Sequence, residues 1–501
     1  MKEKQMINGK TLLGWGWEPG PKMGEALKLA KQMERKAVTL AVIKEELEKL
    51  KPAPIVRLSR KEKGLFAEAI QAETDEEIVN LEGVRRHMHE LMKTPTLSAG
   101  AVMPDACPSG HAHGTIPVGG AVISNAIHPA FHSADVCCSV WVTLFDHDHD
   151  TTDFMNALQA STRFGPGGRK RSGWLNDPVL DPLNNTTNYF LQGMYEVARG
   201  HLADQGDGNH FAYVGELEAD ETLIEKMKDN GYEKTAGVLK RKGKVKALVT
   251  HHGSRGLGVR VYKRGMHTAK MMTHRISPET PEHQAWIPFD TDEGQAYWVA
   301  LQYVADWTRR NHQLIHERTA AKLRAQMLDS FGNEHNFVWR RGEDFYHGKG
   351  ATPAWRKSDG TKTIGVIPLN MAQPILLTFG NDQEKYCSFS PHGAGRNKSR
   401  TQMMREAGVS HETSQDKLAE LCANQTEGLD IRFYCGKIDL SETPMAYKDA
   451  EAVQRQIDHY DLADVAGLIR PLGCIMAGDY DKPWLIAKQK KREAARLAAT
   501  S

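Results

Sequence analysis

The sequence predicts one large α+β domain carrying an N-terminal helical extension. Three observations lead there. Helical periodicity fills residues 25–50 and a long run beginning near Asp292, while Gly, Pro and short β-branched runs fill 97–145 and the stretch from Asn336 to about Arg400. No internal repeat, low-complexity tract or linker separates these textures. Length alone would allow roughly two to four domains. The boundaries expected are a helical extension at 1–95, a main domain at 96–480 and a basic helical tail at 481–501.

Taken in order, Leu29, Met33, Ala37, Leu40, Ile43, Leu47 and Leu50 recur at helical spacing among Lys and Glu, and Pro52 and Pro54 end the run. That reads as one amphipathic helix, packed on the main body or presented to a partner. Strands joined by tight loops are expected between Leu97 and Phe145. Residues 164–171, FGPGGRKR, read as a mobile loop, either contacting phosphate or RNA or simply a solvated charge run. Residues 246–250 read as a buried strand running into His251-His252-Gly253-Ser254-Arg255-Gly256. A long helix with Asp292 as its N-cap carries Tyr297, Val299, Leu301, Val304, Trp307 and Leu314 into the core. Past Arg400 the pattern reads as predominantly helical, ending in a solvated basic stretch at 488–496.

Composition narrows the class. Hydrophobic residues are 40% and charged residues 26% of the chain, as in ordinary globular proteins. No stretch approaches the roughly 18 uninterrupted apolar residues of a membrane helix. The N-terminus MKEKQMINGK has no apolar signal-peptide core, so a cytoplasmic location is expected. A net charge of +2 leaves any nucleic-acid binding to local patches. The seven cysteines include an adjacent pair and no CxxC, which suits a reducing compartment. The 22 histidines, many beside Gly, Asn or Asp, invite a search for a metal site.

Four segments set metal-ligating side chains beside permissive backbone: Asp135-Val136-Cys137-Cys138, Gly206-Asp207-Gly208-Asn209-His210-Phe211, Thr250-His251-His252-Gly253 and Glu334-His335-Asn336. An Asp and a Cys three apart can reach one centre from a loop, and a thiolate can bridge two ions. Mixed imidazole, thiolate and carboxylate donors suit Mn, Zn, Fe or Co better than Mg or Ca. A fifth segment, Ser390-Pro391-His392-Gly393-Ala394-Gly395-Arg396-Asn397-Lys398-Ser399-Arg400, has another character. Small residues after the histidine let backbone N–H groups approach phosphate, and Arg396 can neutralise its charge. His392 there is either a nucleophile able to form a phosphoramidate or part of an anion-binding turn.

In the same order along the chain, these segments resemble the RtcB family of RNA ligases. The matching pieces also include Met103-Pro104-Asp105, Gly253-Ser254-Arg255-Gly256, Lys349-Gly350-Ala351 and Pro444-Met445-Ala446-Tyr447-Lys448-Asp449, and the match runs from about Ser98 to Gly478. The resemblance implies a catalytic domain that joins RNA bearing a 3′-phosphate or 2′,3′-cyclic phosphate to RNA with a 5′-hydroxyl, using GTP and two Mn²⁺ ions, in tRNA splicing or RNA repair. It implies attack by His392 on the α-phosphate of GTP to give a covalent histidine–GMP and pyrophosphate. The GMP would pass to the RNA 3′-phosphate, and the 5′-hydroxyl would then displace it. By match, Asp135, Cys138, His210, His251 and His335 are the metal ligands, with Cys138 bridging. Asn209, His210, His335, Asn336, His392, Gly393, Ala394, Gly395, Arg396 and Tyr447 match the nucleotide site.

The sequence also departs from the family. Tyr213 stands where a guanine-pairing Glu is usual, and Cys474-Ile475-Met476-Ala477-Gly478 replaces a terminal Lys-Gly whose Lys contacts the base. Pro368-Leu369-Asn370-Met371-Ala372 replaces Pro-Gly-Ser-Met-Gly, and Pro104-Asp105-Ala106-Cys107 lacks the histidine of PDxH. These losses fall on the base side, so phosphoryl chemistry with weakened or changed guanine selectivity is expected. Two further classes remain open: a dinuclear-metal phosphoesterase acting on RNA ends, and a non-catalytic RNA-end binder.

Overall fold

Two helices, rather than one, use the apolar spacing of residues 25–50. In the computed structural model, which describes residues 7–17, 19–51, 56–58, 66–109, 114–146, 149–410 and 413–479, helix Pro21–Arg35 ends before helix Leu40–Leu50 begins. Ala37 adopts φ +57°, and the Val38 N–H donates to the Met33 carbonyl, closing off the first helix. The β-branched pair Val38-Thr39 then restarts the chain in extended geometry. Folding back lets Ala26 and Ala30 bury against Ile43 and Leu47 in one cluster with Leu12 and Trp17. A single straight helix would have left that stripe in water. Pro52 and Pro54, expected to end the run, lie outside the described residues.

The chain divides into two compact units, Met1–Arg57 with Thr273–Glu279, and Leu58–Met272 with Thr280–Ser501. The first holds the helices just described. The second is α+β with mixed sheets, as the sequence predicts. Helix Asp75–Leu91 belongs to this second unit and buries Val84, Met88 and Leu91 beside Val102 of strand Leu97–Cys107.

A five-stranded sheet orders Ala67–Glu68, Leu97–Cys107, Val118–Ser124, Asp344–Lys349 and Asn336–Arg341. A larger sheet runs Ile364–Ile367, Ile375–Gly380, Ala463–Met476, Phe211–Glu218, Lys244–His252, Ser139–Asp146 and Gln326–Glu334, with Asp430–Phe433 parallel to the far part of Ala463–Met476. One hydrophobic cluster lies between this sheet and helix Asp292–Leu323, centred on Leu248, Trp307 and Ile315, and a second covers the opposite face through Val249, Leu377 and Ile469. Both faces are therefore buried, which suits the continuous apolar runs of its strands.

Three expectations need correction. Thr291, not Asp292, caps the long helix: its Oγ1 accepts from the Gly294 N–H at 3.1 Å, and Asp292 sits in the first turn, where its charge favours the helix dipole. Val299 is 55% exposed and leaves the core. The segment after Arg400 is not mainly helical, because Ala463–Met476 is a 14-residue strand inside the larger sheet. Its pairing shifts between Pro471 and Gly473, and both faces are covered, so it shows no clean alternation of apolar and polar residues. The basic stretch at 488–496 lies outside the described residues.

Many histidines prove to be core residues. His312 bonds Ser139 and Thr250, His316 bridges Thr250 and Thr143, and His252 stacks on His312 with ring centroids 3.5 Å apart. His128 bonds the Gln284 carbonyl and Thr96 while stacking on Phe131. Burial holds His128 and His316 neutral, with pKa lowered from 6.5 to about 3. The unfolded chain binds protons at these positions from pH 6.5 downward while the folded chain refuses them, so stability present above pH 6.5 is lost as pH falls toward 3. We expect unfolding free energy from urea titrations to drop between pH 6.5 and 5, where carboxylates are still ionised, by up to about 1.4 kcal/mol per pH unit for each histidine. His128→Gln should flatten the slope; equal stability at pH 7 and 5 in the parent protein would refute the account.

Candidate active site

Strand register decides where the donors meet. Ser139 lies opposite both His252 and Glu334, and Phe211 lies opposite His251. The residues at or beside these strand ends are Cys138, His210, His251 and His335, so four strands of one sheet deliver them to a common edge. A further backbone bond ties His335 N–H to the Cys138 carbonyl at 2.9 Å.

The side chains converge. The donor atoms of Cys138, His251 and His335 all lie within 4.8 Å of one another, and so do those of Asp135, Cys138 and His210. Cys138 is common to both groups. Its Sγ is 3.1 Å from His251 Nε2 and 3.5 Å from His210 Nε2, and His210 Nε2 is 3.1 Å from Asp135 Oδ2. All five sequence-predicted donors are thus brought together. Gly253 makes room: a Cβ there would lie 2.0 Å from Asp135 Oδ1. Cys137, with φ +59°, turns its side chain into the apolar cluster and is no substitute for its neighbour.

The chemistry of this set suits a cation. His251 Nδ1 bonds the Asn209 carbonyl at 3.2 Å and so carries the proton, which leaves Nε2 as a lone pair aimed at His335 Nε2 3.2 Å away. Burial first, then the neighbouring His210 and His392, holds the His251 pKa well below its ordinary value. Burial, reinforced by Asp135, pushes the Cys138 thiol well above the usual range. Buried lone pairs facing one another and a thiol beside a carboxylate become favourable once a divalent ion lies among them.

His392 approaches from another direction. It follows the short strand Phe389–Pro391, and its ring centroid lies 4.7 Å from that of His335. Its Nδ1 is 2.6 Å from Oδ2 of Asp105, which is fully buried; its backbone N–H donates to the same oxygen at 3.2 Å. A carboxylate only accepts, so Nδ1 carries the proton and Nε2 presents its lone pair. Gly350, at φ +63°, permits this placement, since a Cβ there would lie 2.8 Å from His392 Cε1. Asn336 holds that loop by accepting from the Gly350 N–H at 2.7 Å.

Around His392 opens a cavity of about 270 Å³, lined in part by Asn209, His392, Gly393, Ala394, Gly395, Arg396 and Tyr447. His210 and His335 sit in the donor cluster instead, and Asn336 braces the Gly350 loop. Arg396 is less free than its position in the sequence suggests. Its guanidinium donates to the Ser441 carbonyl at 2.6 Å and to Glu442 at 2.8 Å, and it stacks over the Tyr447 ring. Glu442 also pairs with Arg400. In the 164–171 segment, the half-buried Arg169 donates to the carbonyls of Leu202 and Ala203, whereas Lys170 and Arg171 are exposed.

Sequence reasoning passed over two residues. Asp105 and Lys448 stand inside quoted motifs but were given no role. Lys448, 6% exposed, donates to the carbonyls of Pro104 and Ala106, which flank Asp105, at 3.0 and 2.9 Å. The signal was an acid set within the apolar run AVMPDAC, since an unpaired charge is rarely buried. Glu442 carried no comparable signal.

Comparisons with known proteins fit this arrangement. A family model described as tRNA-splicing ligase RtcB matches residues 88–477. The chain is similar to the tRNA-splicing ligase RtcB of Pyrococcus abyssi, at 27% identity over 305 residues covering 54% of this chain and 31% of that protein. It is also similar to the tRNA-splicing ligase RtcB of Nanoarchaeum equitans, at 24% identity covering 60% of this chain and 64% of that protein. For the RNA-splicing ligase RtcB of Mycobacterium bovis the identity is 26%, covering 55% and 65%. The chain thus spans about a third of the length of the first relative and somewhat less than two thirds of the others.

Because Cys138 belongs to both donor groups, Cys138→Ala should weaken divalent-cation binding, probed with Mn²⁺, by at least the roughly 10–100-fold typical of lost supporting ligands. Cys137→Ala should leave it unchanged. Mn²⁺ titration followed by electron paramagnetic resonance reads both; equal affinity in Cys138→Ala and parent would remove Cys138 from the site.

Proposed function

The chain belongs to the RtcB family, and from that premise we propose that it is an RNA ligase joining 3′-phosphate or 2′,3′-cyclic phosphate ends to 5′-hydroxyl ends, through a covalent nucleotide on His392. The nucleoside triphosphate is GTP in the family's pattern, and Asp135, Cys138, His210, His251 and His335 are the proposed ligands of two Mn²⁺ ions. Such ions, when bound, neutralise phosphate charge and polarise phosphorus.

The observation that carries the reading is the pairing of His392 Nδ1 with the buried carboxylate of Asp105 at 2.6 Å. With Nδ1 protonated, the Nε2 lone pair attacks the α-phosphorus, an N–P bond forms, and the bond to pyrophosphate breaks. The ring becomes a phosphorylated imidazolium, and the Asp105 carboxylate stabilises that positive charge. Water first opens an RNA 2′,3′-cyclic phosphate to the 3′-phosphate, and transfer of the nucleotide to that 3′-phosphate restores the neutral ring. The 5′-hydroxyl oxygen then attacks the activated phosphate, and the nucleoside monophosphate leaves. The Gly393-Ala394-Gly395 backbone lines the cavity beside the nucleophile, where N–H groups can meet phosphate oxygens. A phosphoesterase that used only the metal ions would have no use for an imidazole oriented in this way, which favours the ligase over that alternative.

Incubation with Mn²⁺ and α-³²P-GTP, followed by denaturing electrophoresis, should yield a labelled protein band that His392→Ala abolishes. Asp105→Asn should slow labelling by roughly 1,000-fold or more, because the orienting acceptor becomes an amide, with Mn²⁺ affinity unchanged. Label retained by His392→Ala, or a metal-loaded parent protein that takes none, would overturn the proposal. A 3′-phosphate RNA and a 5′-hydroxyl RNA should be joined only by the protein that labels.

A further inference from the structure

Part of the cavity wall has a different chemistry from the His392 side. Tyr213, Met371, Ile375, Cys474 and Met476 all line the cavity, and all belong to a single hydrophobic cluster. Tyr213 lies opposite Cys474 in the sheet, so two neighbouring strands present this surface together. A flat ring is what such a wall accommodates best.

The polar groups beside this wall are already engaged, and Asn209, whose backbone carbonyl bonds His251 Nδ1, belongs to the donor end of the cavity. The Tyr213 hydroxyl donates to the Ile469 carbonyl at 2.9 Å. Asn370 Oδ1 accepts from the N–H groups of Ala372 and Gln373 at 3.0 and 3.1 Å. The carboxylate lining the cavity, Glu442, is 2% exposed and bound by Arg396, Arg400 and the Tyr447 hydroxyl. Guanine offers two kinds of N–H donor along its pairing edge, and choosing it over adenine requires an acceptor aimed there. Asn370 Nδ2 can still donate, but every base carries an acceptor for it, so that contact separates none of them.

We propose that this wall seats the ring of the nucleotide without reading its hydrogen-bonding edge, so that the co-substrate is a nucleoside triphosphate as a class and not one base. The inference rests on the nucleotide-dependent reading above and names the substrate class of the same site. A site that hydrogen-bonds its ligand rejects the wrong partner by roughly 10⁴–10⁵-fold, whereas an apolar pocket discriminates by about 10–200-fold through shape. Triphosphate and metal contacts, common to all four nucleotides, then supply most of the affinity.

Calorimetric titration of the full chain in Mn²⁺ with the α,β-methylene analogues of GTP, ATP, CTP and UTP tests this, because the P–C–P bridge blocks transfer. The two purine analogues should bind with dissociation constants within about fivefold of one another, with the pyrimidines weaker by less than about 200-fold. Tyr213→Phe should leave the ratios unchanged, since the lost hydroxyl faces the Ile469 carbonyl. A preference for GTP over ATP beyond 200-fold, or purine ratios altered in Tyr213→Phe, would overturn the inference and leave the ligase proposal standing. Failure of all four analogues to bind would overturn the nucleotide-dependent reading, and this inference with it.

Discussion

A fully buried carboxylate touching a histidine is the constraint from which the rest of this site follows. Asp105 has no exposure to water, and a charge so placed is strongly unfavourable unless partners surround it. His392 is its hydrogen-bonding partner, and the Lys448 ammonium adds an opposite charge nearby. His392 donates through its ring and its backbone N–H, and Lys448 reaches the carbonyls on either side of Asp105. The Lys448 N–H donates in turn to the Gly395 carbonyl at 3.0 Å. Segments far apart in sequence are thereby held in one geometry, and the imidazole is left with little orientational freedom.

The donor cluster depends on a different principle. No single loop encloses it; it collects at the shared edge of four strands whose register is held by cores on both faces of the sheet. A slip of one residue would turn every side chain to the opposite face. Precision at Cys138, His251 and His335 therefore comes from apolar packing elsewhere, from residues such as Trp307 and Leu248. The buried histidines behind them, His312 and His316 bonded through Thr250, fill the space next to His251 with satisfied polar groups instead of a void.

The same molecule thus offers two surfaces to one ligand. Near the metal donors and His392 the groups are charged or polar and aimed inward. Across the cavity the wall is formed by buried members of a hydrophobic cluster, and the Tyr213 hydroxyl there is turned to the Ile469 carbonyl. This division matches a ligand with a phosphate end that is recognised by charge and a ring end that is recognised by contact area.

The α+β class, the strand running into His251 and the segments that carry candidate donors were legible in the residues, because ligand types beside glycine and a switch between periods 3.6 and 2 are local signals. The choice of five donors among them came from the resemblance. The resemblance of the motifs in order added the family. Other features were not legible. The break between Pro21–Arg35 and Leu40–Leu50 followed from two apolar stripes burying each other, and local spacing alone cannot distinguish that from one long stripe. Strand Ala463–Met476 was hidden because burial on both faces erases alternation. The partnership of Asp105 with His392 spans 287 positions, and Glu442 reaches Arg396 across 46. Side-chain chemistry is written residue by residue, so the sequence determined which groups could act; which of them face one another is set by strand register and core packing, which only the folded chain decides.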